Sequence, residues 1–172
     1  MRQPARDAAS EPALDPVLDF LRLLWSIEHG LQSTSKRMET TIGITAPQRL
    51  VLRVVSRYPD ISAGELAHVV RLHPSTITGI LQRLVAKGLL VRDADSDDTR
   101  RVRLRVRNRA RTLTRRSPGT VEAAVQRVLA RVPAAHVTHA RSILAAIAEA
   151  LEPPSSALRR RRTWRRRPDR SI

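Results

Sequence analysis

The chain has 172 residues and a formal net charge of +16, and 41% of its residues are hydrophobic while only 2% are aromatic. This length suits one domain with or without tails, and the apolar content can supply a core of Leu, Val, Ile and Ala. The basic excess favours a polyanionic partner, with nucleic acid preferred over an acidic membrane surface. The absence of cysteine excludes disulfides, thiol redox sensing and thiolate metal sites.

Both ends of the chain are predicted to be disordered. Residues 1–13 form an N-terminal arm in which two prolines stand among small and charged residues. Residues 153–172 hold eight arginines against one aspartate, a net +7, and have no apolar face to bury. We expect this Arg-rich tail to add salt-sensitive DNA affinity that does not depend on base sequence. The sequence contains neither a stretch of ~20 apolar residues nor a signal-peptide core, so we expect a cytoplasmic protein.

A long helix is predicted from Leu14, because apolar residues recur there at the three- and four-residue spacing of an amphipathic helix. Its apolar positions are Val17, Leu18, Leu21, Leu24, Trp25 and Leu31. The helix should end near Thr41, with Gly43 after it. It is longer than a small domain needs, so one of its ends is expected to pack against something else.

Three short helices are predicted next. Thr45–Gln48 and Ser62–Glu65 match capping boxes, in which a hydroxyl and a Gln or Glu side chain satisfy backbone groups at a helix start. The third helix should begin at His73-Pro74, with His73 as its cap, and end at Lys87-Gly88. The apolar positions expected in these three helices are Leu50, Val51, Val54 and Val55, then Leu66, Ala67, Val69 and Val70, then Ile77, Leu81, Leu84 and Val85.

A β-hairpin is predicted after the helices. Leu89–Val91 resembles a short strand, and apolar residues alternate with arginines between Arg101 and Arg107, which is the two-residue period of a second strand. Between them lies DADSDD, residues 93–98, whose Asp and Ser residues favour the turn at the hairpin tip. A calcium loop would need glycine at its sixth position and a bidentate carboxylate at its twelfth, where this chain has Asp98 and Leu104.

Two further helices are predicted towards the C-terminus, separated by Pro133. Pro118-Gly119 should kink or delay the first of them. Their apolar positions are Val121, Ala124, Val125, Val128, Leu129 and Val132, then Val137, Ala140, Ile143, Leu144, Ile147 and Leu151. His136 and His139 could share a metal, but the nearby sequence offers no third ligand, so capping or a dimer surface is preferred and no metal site is expected.

This order of segments resembles the MarR family of bacterial transcription regulators. The resemblance covers roughly residues 14–151 and is most specific in PSTITGILQRLVAKGLLVR, residues 74–92, and in DSDDTR, residues 95–100. It implies a mainly α fold with a small β-hairpin wing (α+β), a winged helix-turn-helix with N- and C-terminal dimerisation helices. The chain departs from the family pattern at Val106–Ala110, where Leu-Thr-x-x-Gly is common, so the start of the fifth helix is not specified.

The expected domains follow from the same resemblance. Residues 14–44 would form the N-terminal dimerisation helix, residues 45–107 the winged helix-turn-helix DNA-binding domain, and residues 108–152 the C-terminal dimerisation helices. Each subunit of a homodimer would place one winged helix on half of a palindromic operator in double-stranded DNA. Many relatives are repressors released by a small aromatic or phenolic anion.

The third short helix carries the candidate DNA contacts. If its apolar stripe faces the core, the opposite side can enter the major groove. The candidates on that side are Ser75, Thr76, Thr78, Gly79, Gln82 and Arg83. Gln82 could pair with adenine and Arg83 with guanine or a phosphate, while Gly79 would permit close approach. The alternative for each is an ordinary exposed residue.

The hairpin supplies further candidates. Arg100 is expected to enter the minor groove, with Asp98 orienting it, because a narrow A·T-rich groove attracts arginine. An exposed ion pair between the two is the plainer alternative. Arg101, Arg103 and Arg105 are expected to contact phosphates or to solvate the wing.

An effector pocket is a further expectation drawn from the family. Trp25 and His29 could line a pocket between the dimer helices and the winged helix, with Arg37 as a candidate for binding an anion. Core or dimer packing is the simpler interpretation of Trp25.

The sequence thus favours a sequence-specific DNA-binding repressor that has no cofactor and no membrane partner. The first rival is a sequence-independent architectural nucleic-acid-binding protein in which the Arg-rich tail dominates. The second is an interaction module that uses the winged helix to contact another protein. An enzyme is not expected, because the chain has no glycine-rich phosphate loop and its carboxylates cluster only in residues 93–98.

Overall fold

The computed structural model describes residues 14–94 and 102–152. The chain divides into two compact units, Met1–Ala124 and Val125–Ile172. The first unit holds the three-helix core and the hairpin. None of the helices in the described part of the chain is both long enough and apolar enough to cross a membrane.

Helix α1, Pro16–Ile42, begins at Asp15, whose carboxylate accepts from the backbone N–H of Val17, and ends at Gly43. Gly43 has φ +78°, the left-handed conformation that terminates many helices and that glycine adopts without strain. The predicted end near Thr41 is therefore confirmed. Met38 is buried, whereas most apolar side chains nearer the N-terminus are exposed in the single chain and Leu21 and Leu24 are half-buried.

Helices α2 (Ala46–Arg57), α3 (Ala63–Val70) and α4 (Pro74–Ala86) follow. Both predicted capping boxes are present, at Thr45 with Gln48 and at Ser62 with Glu65. Their best-buried apolar side chains form one core with the hairpin: Ile44, Val51, Leu52, Val55, Leu66, Ile77, Leu81, Leu84, Leu90 and Leu104.

Three positions in the predicted stripes are wrong. Leu50 and Val69 are exposed, and Val85 is 39% exposed, whereas Ile80 at 6% exposure occupies the core. At about 100° per residue, Val85 lies roughly a quarter-turn from the centre of the buried face of α4, while Ile80 lies closer to it. The predicted stripe thus lay on the correct side of α4 but was rotated around the helix axis, away from Ile80 and towards Val85.

The wing consists of antiparallel strands β1, Leu90–Ala94, and β2, Val102–Val106. Their register pairs Leu90 with Val106 and Asp93 with Arg103. Strand β1 therefore extends beyond the predicted Leu89–Val91 and includes the first two residues of the acidic stretch, which were expected at the tip. Opposite charges facing each other across an antiparallel pair favour this longer pairing.

Beyond the wing, a 3₁₀ turn at Asn108–Ala110 leads into a short helix α5, Arg111–Thr114. Helix α6, Val121–Leu129, begins just after Pro118-Gly119, as predicted, but ends before Val132. Helix α7, Ala134–Ala150, follows Pro133, which confirms the break predicted there.

Candidate nucleic-acid interface

Helix α4 separates its buried and exposed side chains cleanly. Ile77, Ile80, Leu81 and Leu84 are buried. The candidate DNA-contacting residues occupy the opposite arc of the helix at about 100° per residue. Ser75, Thr76, Thr78, Gln82 and Arg83 are exposed, and Gly79 is half-buried. The structure therefore brings all six predicted residues of this helix together on one accessible face.

The N-terminus of α4 is capped by a histidine, as expected from the sequence. Nδ1 of His73 accepts from the backbone N–H of Ser75 at 3.3 Å and lies 2.7 Å from the Ser75 hydroxyl. The Thr78 hydroxyl donates to the carbonyl of Pro74 at 2.9 Å. These contacts fix the backbone of the first turn of α4. The side chains proposed to enter the DNA groove are therefore attached to a backbone of defined conformation.

The C-terminal end of α4 is tied to the end of α1. Lys87 Nζ donates to the carbonyl oxygen of Gly43 at 2.7 Å and lies 3.5 Å from Oε1 of Gln48. Ser35 on α1 also accepts from the backbone N–H of Ala46, at 3.0 Å, where α2 begins. The position of the exposed face is thus coupled to the long first helix.

Arg105 on β2 is held by a carboxylate. Its Nε donates to Oδ1 of Asp60 at 2.6 Å, and this hydrogen bond and charge raise the pKa of the guanidinium above its usual range. Asp60 adopts φ +65°, and its backbone N–H donates to the carbonyl of Leu104. Arg105 therefore anchors the loop between α2 and α3, which contains Asp60, to strand β2 of the wing. Arg103 is half-buried and faces Asp93 across the pair.

The remaining wing candidates, Asp98, Arg100 and Arg101, lie outside the described residues. Their assignment stays a prediction.

The effector candidates occupy two places on α1. Trp25 and His29 are one helical turn apart, and Trp25 is 63% exposed in the single chain. Arg37 lies about 18 Å further along the helix from Trp25, at about 1.5 Å per residue, and its Nη2 donates to the Thr34 hydroxyl. Within one chain, Arg37 does not adjoin the other two. Over residues 14–94 and 102–152, no group of three or more His, Asp or Glu could hold a metal ion.

One charged residue in the unit was missed by the sequence analysis. Arg49 on α2 is 1% exposed and is bound to residues between 113 and 122. An arginine on an amphipathic helix ordinarily predicts a solvated side chain. The sequence feature that was compatible with burial of Arg49 was its position beside the apolar stripe of α2, one turn from Leu52.

Comparison with known proteins places this geometry in a family. The family model of the MarR family matches residues 44–102, which include α2–α4 and β1. The HTH-type transcriptional repressor Mb2911 of Mycobacterium bovis is 30% identical over 112 residues, which cover 65% of this chain and 81% of that protein. The repressor Rv2887 of Mycobacterium tuberculosis matches to the same extent.

Solved structures share the fold. The PcaV regulator from Streptomyces coelicolor, crystallised with its natural ligand, is 26% identical with a TM-score of 0.62, covering 87% of this chain and all of that one. The S. aureus MepR–DNA complex also gives a TM-score of 0.62, at 18% identity, covering 77% of this chain and 98% of that one. The chain belongs to the MarR family of winged helix-turn-helix transcriptional regulators.

Proposed function

We propose that this protein represses transcription as a homodimer that binds a palindromic operator in double-stranded DNA. The observation that carries the proposal is the division of α4, whose apolar stripe is buried while its polar residues share one exposed face. Reading bases in a major groove requires polar side chains arranged on one face of the helix. Binding that depends on positive charge alone does not require such an arrangement. The relatives named as repressors support the direction of control.

The contacts would divide between bases and phosphates. Gln82 would pair with adenine and Arg83 with guanine or a phosphate, because their side chains match those base edges. Ser75 and Thr76 at the start of α4 would contact phosphates or base edges, and Gly79 would allow close approach of the helix backbone. In the wing, Arg100 would enter the adjacent minor groove with Asp98 orienting its side chain, and Arg101 and Arg103 would contact phosphates.

The homodimer is supported by apolar surface that the single chain leaves uncovered. On α1, apolar side chains occupy more than half of the helix circumference, and such a helix is normally buried. The exposed members include Val17, Leu18, Phe20, Leu23, Trp25, Ile27 and Leu31. On α7, Ile143 and Leu144 are also exposed, as is Leu151 just after the helix. Residues 14–44 and 108–152 would accordingly supply the dimer contacts, and residues 45–107 the DNA-binding head.

A small aromatic or phenolic anion would release the repressor. The support for a ligand is the likeness to PcaV, which was crystallised with its natural ligand, while the aromatic or phenolic class is what the family resemblance implies. Trp25 and His29 would line the site, and Arg37 could join them only if another chain contributed it. The ligand would bind more tightly to a dimer whose two DNA-binding heads do not fit the operator than to the dimer that fits it. Operator binding would be weakened by the difference between these two ligand affinities.

Selection from a random duplex pool tests the operator. The full-length protein is bound to the pool at near-physiological salt, and the retained duplexes are sequenced after several rounds. We expect a motif with two-fold symmetry whose half-sites lie about one helical turn apart. Enrichment of no motif would favour the architectural alternative, in which the Arg-rich tail dominates binding. Benzoates and phenols are then titrated against the selected duplex to find the releasing ligand.

A further inference from the structure

Arg49 is an arginine buried inside the unit that carries the winged helix. Its side chain is 1% exposed, although a fully buried arginine is rare unless it is paired. Nε donates to Oε1 of Glu122 at 3.0 Å, and the two terminal nitrogens donate to the carbonyl oxygens of Leu113 and Arg115. One guanidinium therefore binds three acceptors that are 64 to 73 residues away in the sequence.

Those acceptors lie where two helices meet. The carbonyls of Leu113 and Arg115 stand at the C-terminal end of α5, where a helix leaves carbonyl groups without intrahelical partners. Glu122 stands in the first turn of α6, where a carboxylate complements the helix dipole. Arg49 thus joins the end of α5 to the start of α6, on the two sides of Pro118-Gly119.

The two oxygens of the Glu122 carboxylate differ in their contacts. Arg53, one turn further along α2, places Nη1 3.7 Å from the same Oε1 of Glu122. The other oxygen, Oε2, is buried and has no hydrogen-bond partner among the described residues. Two cations of α2 therefore share one carboxylate oxygen, and the Arg49 hydrogen bond is the shorter of the two contacts.

Helix α6 then runs out of this unit, since the boundary between the two compact units lies at Ala124–Val125, within the helix. The first turn of α6 belongs to the first unit and is anchored within it. Arg49 provides that anchor from α2, the helix that packs directly on α3, α4 and the wing.

We propose that Arg49 is a positioning residue for operator binding, which sets the separation of the two DNA-binding heads through its bonds to α5 and Glu122. This inference rests on the proposed function, because a fixed separation matters only for a dimer on a two-part operator. A rigid dimer binds best to one half-site spacing. When the anchor is loosened, each head keeps its own contacts, but the preferred spacing loses its advantage.

A plain structural role for Arg49 makes a different prediction. If Arg49 only stabilised the head, its loss would weaken binding to an isolated half-site and to every palindrome by the same factor. Discrimination between spacings is therefore the property that separates positioning from stability.

The test uses full-length wild-type protein and Arg49→Met, which keeps an extended apolar side chain but removes the donors. Arg57→Met is the matched control, since Arg57 is an exposed arginine on the same helix. Dissociation constants are measured by fluorescence anisotropy on duplexes built from the selected motif. These are one half-site alone, the selected palindrome, and palindromes with the spacer changed by one or two base pairs. Circular dichroism confirms that each protein is folded.

We expect Arg49→Met to reduce the preference for the selected spacing by ~5-fold or more, the size of an ordinary coupling between sites, while its half-site affinity stays close to the wild-type value. Arg57→Met should keep the wild-type preference. If Arg49→Met does not fold, Glu122→Gln, which retains an oxygen acceptor for Nε, should show a smaller loss of preference in the same direction.

Wild-type spacing preference in both Arg49→Met and Glu122→Gln would overturn the inference, as would an equal loss of affinity on every duplex. A wild-type protein that binds all spacings alike would instead overturn the palindromic operator itself, and the inference with it.

Discussion

At Gly79, the proposed role in DNA binding and the stability of the helix favour different residues. It lies in the interior of α4, where glycine costs about 0.5–1 kcal/mol relative to alanine. A Cβ built on Gly79 would meet nothing within 4 Å, so the fold itself does not require glycine there. Gly79 lies on the face that carries Gln82 and Arg83, where a close approach of the helix backbone to DNA is proposed.

Gly79→Ala should therefore act in opposite directions on stability and binding. We expect the melting temperature to rise, because alanine favours the helix, and the affinity for the selected operator to fall, because the methyl group keeps the backbone from the groove. Thermal melts and anisotropy titrations measure the two effects. Gly30→Ala on α1, where a Cβ also meets open space, should raise the melting temperature without weakening DNA binding. Unchanged operator affinity in Gly79→Ala would remove Gly79 from the interface.

At the scale of single elements, α4 is held at both ends by side chains. His73 caps its N-terminus through Nδ1, and Lys87 binds the carbonyl of Gly43 beyond its C-terminus. The helix is therefore presented as a fixed unit rather than as a fraying segment, which favours base readout by residues of its first turns.

His73→Ala should destabilise the protein by about 1 kcal/mol, the usual cost of losing an N-cap acceptor. His73→Asn should preserve the stability, because asparagine is among the strongest N-cap residues. Urea denaturation followed by circular dichroism measures both variants. Equal stability of His73→Ala and the wild-type protein would show that the Nδ1 contact contributes nothing to the helix start.

Much of this architecture was predictable because its signals are local. Gly43 ends α1, and the capping boxes at Thr45 and Ser62 begin α2 and α3, since each depends on residues within one turn. The exposed face of α4 was also predictable, because once the buried stripe is recognised the helical period assigns the opposite side.

Other features depend on long-range packing and were missed. Arg49 is bound to residues between 113 and 122, and although its place beside the apolar stripe of α2 is compatible with burial, the residues around position 49 do not identify those partners. Strand β1 extends to Ala94 because β2 pairs with it, although Asp residues favour turns. Ile80 and Val85 differ in burial through small angular offsets that hydrophobicity alone does not resolve.

At the scale of the whole molecule, the uncovered apolar face of α1 predicts self-association. Ile27→Glu should convert the protein to a monomer, because a charge within that face would be buried without a partner. Sedimentation equilibrium measures the mass. Ser26→Glu, which adds the same charge at a neighbouring exposed position on the polar side of the helix, should remain dimeric. A monomeric wild-type protein would contradict the homodimer.

The charge of the chain is also divided at this scale. The Arg-rich tail, residues 153–172, contributes a net +7 of the total +16. A variant ending at residue 153 should show a shallower dependence of log K on log salt, because each lost phosphate contact lowers the slope by ~0.9. Its preference for operator over scrambled DNA should stay the same, because contacts that do not depend on base sequence strengthen the binding of both duplexes alike. Anisotropy titrations at several salt concentrations measure the slope, and an unchanged slope would show that the tail does not contact DNA.

If the exposed face of α4 reads base sequence, the protein must distinguish between duplexes of equal length and charge. The most direct measurement compares the affinity of the variant ending at residue 153 for the selected palindrome and for a scrambled duplex of the same length, at near-physiological salt. We predict a preference of ~10³-fold or more for the palindrome, the usual range for a specific DNA-binding protein. Equal affinity for the two duplexes would contradict sequence-specific repression and leave a protein that binds nucleic acid by charge alone.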